Sequence, residues 1–219
     1  MEKVELIVMN LEFSKWLDQS LEENHLSYND ETKNKLLKYL MLIHDWNRVF
    51  NLTAITHPRD MVYLHIIDSL LIAPYLHGSH LLDVGSGAGL PGIPLAIADP
   101  SQSWVLLDKN NKKTKFLTQV VAELHLTTVN IIHDRVENFY PEKLFDSILS
   151  RAFGTLSLFV EATEHLLAPN GFYLAMKGKY PKEELNDVPK RFIVTDVHRL
   201  DLQGTNTNIE RHLILLKSV

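Results

Sequence analysis

A glycine-rich segment directly after a short apolar run constrains the fold of this chain more than any other feature. Residues 81–84 read LLDV, and the next eight residues read GSGAGLPG. Glycine tolerates positive φ and lets a ligand approach the backbone closely, so the pattern predicts a strand, a tight turn and then a helix. In open α/β sheets, turns of this kind at the carboxyl ends of strands bind ligands.

The spacing of the glycines distinguishes between cofactors. The dinucleotide fingerprint would place its third glycine at position 90, where this chain has Leu90. A GxGxG run with an acidic residue two positions earlier is instead the pattern of S-adenosylmethionine-dependent methyltransferases. Asp108 ends the next apolar run, where a carboxylate accepts hydrogen bonds from ribose hydroxyls. The cofactor-binding residues that this pattern predicts are Asp83, Gly85, Gly87, Gly89 and Asp108.

Composition excludes several other chemistries. The 219 residues are 45% apolar and include no cysteine, which removes disulfides, thiolate metal sites, iron–sulfur clusters and cysteine nucleophiles. The spacing of the 11 histidines indicates no metal site. A net charge of −5 argues against a general nucleic-acid coat protein. Because the sequence lacks a signal-like start and a long apolar stretch, we expect a cytoplasmic protein without a membrane span.

Two patterns along the chain predict its organisation. From about residue 10 to residue 75, apolar residues recur at helical spacing, with a third helix near Pro58. From His80 onward, short apolar runs alternate with helical segments. We therefore expect an α/β fold with a Rossmann-like, mainly parallel seven-stranded sheet and an N-terminal helical extension. Residues 201–206 are too few for a crossover helix, so the last two strands should form an antiparallel hairpin.

The change of pattern also predicts domain boundaries. Residues 1–76 should form the helical extension, packed on a methyltransferase domain of residues 77–219. The seven strands are expected at about residues 80–84, 103–108, 129–133, 144–150, 171–177, 192–199 and 211–217.

The sequence leaves the nucleophile of the reaction partly open. Methyl transfer from a sulfonium is an in-line displacement, so the protein mainly aligns the nucleophile and excludes water. Without cysteine, the adduct route to pyrimidine C5 is closed, and the Asn/Asp-Pro-Pro-aromatic run associated with exocyclic amines is absent after the fourth strand. A ring nitrogen with a free lone pair, such as guanine N7, needs no general base. Four residues remain candidates for a general base, namely His65, Asp68, His133 and Glu137.

Several separate motifs, in order, resemble those of the RsmG (GidB) family of bacterial 16S ribosomal RNA guanine N7-methyltransferases, which act at nucleotide 527. The likeness runs from about Asp45 to Lys217. The matching stretches are WNRVFNLTAI, HIIDSL, DVGSGAGLPGIPLAI, LLDKNNKKTKFL, SRAFGTL, LAMKGK and the RHL that starts at Arg211.

The resemblance implies roles for particular residues. S-adenosylmethionine contacts are implied for Gly85, Leu90, Val136, Glu137 and Arg151. Catalytic candidates that would border the active site are Asn51, His65, Asp68 and Arg151, although helix capping, core hydrogen bonding or a surface ion pair would explain them as well. The resemblance makes 16S ribosomal RNA or the small ribosomal subunit the expected partner of a monomeric enzyme. Candidate phosphate contacts are Lys112, Lys113, Lys115, Lys177, Lys179 and Arg211, unless these cations only face solvent.

Two other classes of function compete with this interpretation. A small-molecule methyltransferase would use the same cofactor pocket under a closed lid, whereas an RNA enzyme needs an open pocket flanked by positive charge. A non-catalytic RNA- or nucleotide-binding module would bind cofactor without turnover.

Overall fold

One sheet organises the computed structural model, which describes residues 2–205 and 209–219. Seven strands lie within those residues, in the order β3-β2-β1-β4-β5-β7-β6. Their bounds are β1 His80–Val84, β2 Ser103–Asp108, β3 Val129–His133, β4 Phe145–Arg151, β5 Leu167–Lys177, β6 Phe192–Arg199 and β7 His212–Ser218.

The pairing of the strands confirms the predicted fold class. The five strands from β1 to β5 pair in parallel, and β7 pairs antiparallel with both β5 and β6. The last two strands are therefore the antiparallel hairpin at the end of the sheet. Part of the predicted loop at residues 201–206 lies outside the described residues, because Asn206 is not among them. The fifth strand begins at Leu167 rather than at residue 171. The turn that Pro169 and Asn170 predict is present inside it, because Asn170 has a φ of 65° and the pairing with β4 shifts register between Leu167 and Phe172.

Helices precede the sheet and connect most of its strands. The α-helices are α1 Glu2–Glu23, α2 Asp30–Phe50, α3 Pro58–Met61, α4 Asp68–Leu70, α5 Gly92–Ala98, α6 Asn111–Leu124, α7 Leu156–Thr163 and α8 Lys182–Asn186. A π-helical segment, Val62–Ile67, joins α3 to α4. Short 3₁₀ turns lie at Ala73–Tyr75, Val136–Asn138 and Glu164–Leu166.

The first helix begins earlier than predicted. The sequence predicted helix from about residue 10, whereas α1 begins at Glu2. Ile7 and Val8 are exposed, so apolar periodicity in the first turns did not mark a buried face. The start of α2 is clearer, because the side chain of Asn29 accepts a hydrogen bond from the Thr32 backbone N–H.

The apolar core lies on both faces of the sheet. On one face, helices α1, α2, α5 and α6 pack around buried residues such as Phe13, Tyr39 and Trp104. On the other face, α7 contributes Phe159, which packs edge-on against Tyr173 of β5. The Tyr39 hydroxyl donates a hydrogen bond of 2.6 Å to the carbonyl oxygen of Ala88, which ties α2 to the glycine-rich loop. The division of the chain at residues 76 and 77 stays a prediction.

None of the helices in the described part of the chain has the length and apolar character that a membrane crossing requires.

Candidate active site

The glycine-rich segment forms a tight loop between β1 and α5. Gly85, Gly87 and Gly89 all have positive φ, of 70°, 61° and 92°. The loop is tied to the end of the neighbouring strand β2, because the Gly85 backbone N–H donates to the Leu107 carbonyl oxygen over 2.8 Å. Asp108 adds a second tie, accepting from the Gly87 N–H at 2.9 Å and from the Asn110 N–H at 2.8 Å. The backbone of the loop is therefore fixed at the carboxyl edge of the sheet.

A pocket of about 430 Å³ opens beside this loop, at the carboxyl ends of β1 to β4. Its walls are partly apolar and partly charged, which suits a ligand that combines a base, a sugar and charged groups. The residues that line it are Val84, Gly85, Leu107, Asp108, Lys109, Asn110, Lys113, Asp134, Arg135, Val136, Glu137, Ala152, Phe153, Leu158 and Ala162.

The lining includes only part of the predicted cofactor site. Gly85, Asp108, Val136 and Glu137 line the pocket, and their contact with a cofactor stays a prediction. The other predicted residues are not part of the lining, and they are Asp83, Gly87, Gly89, Leu90 and Arg151. The sequence prediction missed Phe153 and Leu158. Their signal was weak, because only the position of SRAF at the end of the fourth strand pointed to the wall that they form.

Space beside Gly85 supports a cofactor pocket. A Cβ atom added to this exposed glycine would meet only one atom within 4 Å, the Phe153 Cδ2 at 3.5 Å. A side chain there would fill the pocket, so glycine keeps the floor clear for a ligand that touches the backbone. Lys113, predicted as an RNA contact, lies in the pocket wall, and its Nζ would be 3.7 Å from a Cβ on Gly87.

Asp83 lies completely buried below the loop rather than in the pocket wall. One carboxylate oxygen accepts the Gly92 backbone N–H at 3.0 Å, whereas Oδ1 has no hydrogen-bond partner in the described part of the chain. Burial raises the pKa of Asp83 to about 7, against the lowering effect of the Gly92 hydrogen bond. Asp83 thus holds the first turn of α5 against the loop, and its direct contact with a cofactor stays a prediction.

We expect Asp83→Asn to become more stable relative to wild type as the pH rises from about 4 to 7. The raised pKa means that folded Asp83 holds its proton up to about pH 7, whereas an unfolded aspartate loses it near its ordinary value. Ionisation therefore removes stability through this range, by on the order of 3 to 4 kcal/mol for a shift of this size. Asparagine does not ionise and keeps an oxygen for the Gly92 N–H.

Urea unfolding of both proteins at pH 5 and pH 8 tests this expectation. Exposed Asp18 provides the control, because Asp18→Asn should shift the unfolding free energy little between the two pH values. An equal stability difference between Asp83→Asn and wild type at both pH values would contradict it.

A buried ion cluster joins the helical region to the sheet. Asp68, only 2% exposed, follows the π-helical segment and accepts hydrogen bonds from two arginines. Arg211 Nε lies 3.1 Å from its Oδ1, and Arg151 Nη1 lies 3.4 Å from its Oδ2 and 2.8 Å from the Leu64 carbonyl oxygen. Burial raises the pKa of Asp68, while both guanidinium groups oppose that change. The cluster thus brings together two predicted catalytic residues, Asp68 and Arg151, and one predicted RNA contact, Arg211.

The other two catalytic candidates differ in exposure. His65 is completely buried, and its Nε2 lies 3.2 Å from the Thr53 hydroxyl. Burial, with a smaller effect of the Arg151 charge, lowers the pKa of His65 to about 4, so the imidazole is neutral at pH 7. Asn51 is exposed and ends α2 in the left-handed conformation. Buried His65 therefore has no surface that a substrate could touch in this conformation.

The residues predicted to contact phosphates differ in exposure and in whether they already have a partner. Lys112, Lys115 and Lys179 are exposed. Lys177 instead donates to the Glu184 Oε2 at 2.7 Å and to the Gly154 carbonyl oxygen. Lys177 thus already has a carboxylate partner, with which a phosphate would compete.

The fold has relatives among solved structures. An S-adenosylmethionine-dependent methyltransferase from Thiobacillus denitrificans, solved with S-adenosyl-L-homocysteine, superposes with a TM-score of 0.53 and 13% identity over 81% of this chain and 97% of that chain. At this identity the likeness concerns the fold alone. The strand order, the glycine loop and the pocket at the carboxyl edge define the class of fold: the Rossmann-like methyltransferase fold.

Within that class, the chain belongs to the GidB family, described as rRNA small subunit methyltransferase G, whose model matches residues 32–214. The ribosomal RNA small subunit methyltransferase G of Nitrosococcus oceani is 49% identical over 182 residues, which are 83% of this chain and 84% of that protein. Its counterpart in Pseudomonas paraeruginosa is 46% identical over 202 residues, 92% and 94% of the two chains. The family predicted from the sequence motifs is confirmed.

Proposed function

We propose that this chain transfers a methyl group from S-adenosylmethionine to N7 of a guanine in 16S ribosomal RNA, at nucleotide 527 by family resemblance. The observation that carries the proposal is the pocket beside the glycine loop in a member of the rRNA small subunit methyltransferase G family. The names of the relatives support small-subunit ribosomal RNA as the substrate. The protein would act as a monomer in the cytoplasm.

The pocket residues fit S-adenosylmethionine, which when bound supplies a methyl group activated by a sulfonium. The buried Asp108 carboxylate accepts two backbone hydrogen bonds and has free lone pairs left. It would accept further hydrogen bonds from the ribose hydroxyls of the cofactor. Val136, Phe153 and Leu158 offer apolar surface to the adenine ring. The Gly85 backbone would contact the cofactor without interference from a side chain. Leu90, Glu137 and Arg151 remain part of the proposed contact set by resemblance.

Guanine N7 suits the side chains around the site because its lone pair needs no base. Asp68 is engaged by two arginines, and His65 is buried against Thr53. These two residues therefore stabilise the walls of the site, and the enzyme accelerates transfer mainly by orienting the guanine and excluding water.

The surroundings of the pocket favour RNA over a small molecule. Lys109 and Lys113 line the pocket, and Lys112 and Lys115 are exposed nearby at the start of α6. The lining itself is balanced, because Asp108, Asp134 and Glu137 offset Lys109, Lys113 and Arg135. The cations that would attract phosphates are therefore the exposed lysines at the start of α6, although the molecule as a whole is acidic. Recognition would therefore depend on a structured RNA surface.

The proposal is tested by incubating the protein with methyl-labelled S-adenosylmethionine and either small subunits or naked 16S RNA from cells that lack the gene. Label should enter at least one of the two RNA forms and be recovered as 7-methylguanosine after nucleoside digestion. Gly87→Asp should abolish incorporation. It places a side chain on a residue with left-handed backbone conformation, and its carboxylate would lie beside Lys113. Cofactor binding without incorporation into either RNA would overturn the proposal.

A further inference from the structure

The carboxyl end of α2 exposes an aromatic side chain that the core does not require. Phe50 is 39% exposed, and its neighbour Val49 is 71% exposed. The Phe50 ring packs on Trp46 with 4.9 Å between ring centroids, and Trp46 in turn packs edge-on against Phe116 of α6 at 5.5 Å. The ring is thus supported from the protein side while much of it faces solvent.

Helix packing places this ring at the same edge as the pocket. Helices α2 and α6 run antiparallel, because Lys38 of α2 pairs with Glu123 near the end of α6, whereas Phe50 meets Lys112 near its start. Helix α6 begins just after the carboxyl end of β2. Lys113, the next residue after Lys112, lines the pocket wall.

One cation lies against the exposed ring, and two others are exposed on the same two helices. Lys112 Nζ lies 6.0 Å from the Phe50 ring centroid, at the outer range of a cation–π contact. Arg48 on α2 and Lys115, one turn further along α6, are also exposed. An aromatic face beside flexible cations is the arrangement with which proteins bind unpaired nucleotides, because the ring stacks a base and the cations bind phosphates.

We propose that Phe50 is a stacking platform for an unpaired base of the RNA substrate close to the target guanine, with Lys112 binding an adjoining phosphate. This inference rests on the proposed function, since it assumes an RNA substrate. The base would stack on the outer part of the ring, and the exposed Lys112 side chain would swing from the ring to the phosphate.

Steady-state methylation of small subunits by ring-retaining and ring-deleting variants tests the proposal. Phe50→Leu keeps apolar bulk and removes the aromatic face, so KM for the subunit should rise about 5- to 150-fold, the range expected for one stacked base. Phe50→Tyr should keep KM close to wild type. The dissociation constant for S-adenosylmethionine should be unchanged in both variants. The melting temperature should be unchanged in Phe50→Tyr and should fall by no more than about 5 °C in Phe50→Leu, which loses the ring contact with Trp46.

Tyr140 gives a matched control, because it is 76% exposed and packs on His165, which precedes β5 at the opposite edge of the sheet. Tyr140→Leu should leave KM unchanged. An active wild type with an unaffected Phe50→Leu variant would overturn the platform and leave the proposed function standing. A wild type that methylates no RNA would overturn both.

A crosslinking experiment identifies what touches the ring. With p-benzoylphenylalanine in place of Phe50, irradiation of the protein bound to small subunits should attach it to 16S RNA. Attachment to a ribosomal protein alone would overturn the proposal.

Discussion

Gly89→Ala is expected to destabilise the protein by about 2 to 5 kcal/mol, the sum of backbone strain and overpacking. Gly89 has a φ of 92°, a region that side chains rarely adopt. A Cβ at this position would lie 2.5 Å from the Ile93 Cγ1 and 2.7 Å from the Leu117 Cδ2, both in the buried core. The added methyl group would therefore push the glycine loop away from α5 and α6, and cofactor affinity should fall with stability.

Gly87→Ala provides the control from the same loop. Its φ is also positive, but an added Cβ would meet only the flexible Lys113 Nζ at 3.7 Å and the Gly85 carbonyl oxygen at 3.8 Å. Thermal unfolding should show a melting temperature lowered by about 4 to 20 °C for Gly89→Ala, and a much smaller change for Gly87→Ala. Equal losses in the two variants would contradict a packing role specific to Gly89.

Asp68→Ala should cost about 2 to 4 kcal/mol of stability and most of the methylation activity. The variant leaves Arg151 and Arg211 without their shared carboxylate, and breaking a buried ion pair is strongly destabilising. The arginine side chains are 27% and 23% exposed, so water offsets part of the loss. Because Arg151 ends β4 beside the pocket wall, its release should also disturb the site.

The surface pair of Asp18 and Lys33 is the control for this prediction. Its atoms lie 2.8 Å apart, but the Asp18 side chain is 57% exposed, so Asp18→Ala should cost less than about 1 kcal/mol. Urea unfolding at pH 7 would compare the two variants. A loss for Asp68→Ala no larger than that for Asp18→Ala would contradict a structural role for the cluster.

The glycine loop and the sheet could be predicted because their signals are local. An apolar strand, GxGxG and a helix stand next to one another in the sequence, and Asp108 follows at the end of the next strand. The turn needs residues with positive φ, which glycine adopts most readily, so a run of glycines in the sequence indicates such a turn.

The ion cluster could not be predicted because it joins distant parts of the chain. Asp68 and Arg211 are 143 residues apart, and no spacing rule connects them. Both residues were predicted as functional, but in separate roles. The pairing of Lys177 with Glu184 escaped prediction for a different reason, since the sequence does not reveal which surface cations already have a partner.

The complete burial of Asp83 could not be predicted from the sequence either. The acidic residue before the glycines fits a ligand contact as well as a structural one, and only the packing of α5 over β1 resolves its hydrogen bond to Gly92. From sequence alone, a buried polar residue close to a binding site is hard to distinguish from a residue that contacts the ligand, because both need a hydrogen-bond partner.

Mapping 7-methylguanosine in 16S ribosomal RNA tests the proposed activity most directly. Reduction followed by aniline cleaves RNA at this nucleoside, and primer extension locates the break in RNA from cells with and without the gene. We predict one gene-dependent break, at guanine 527 by family resemblance, which reappears when the wild-type gene is restored and does not reappear with Gly87→Asp. An identical cleavage pattern in RNA from both kinds of cell would contradict the proposed activity.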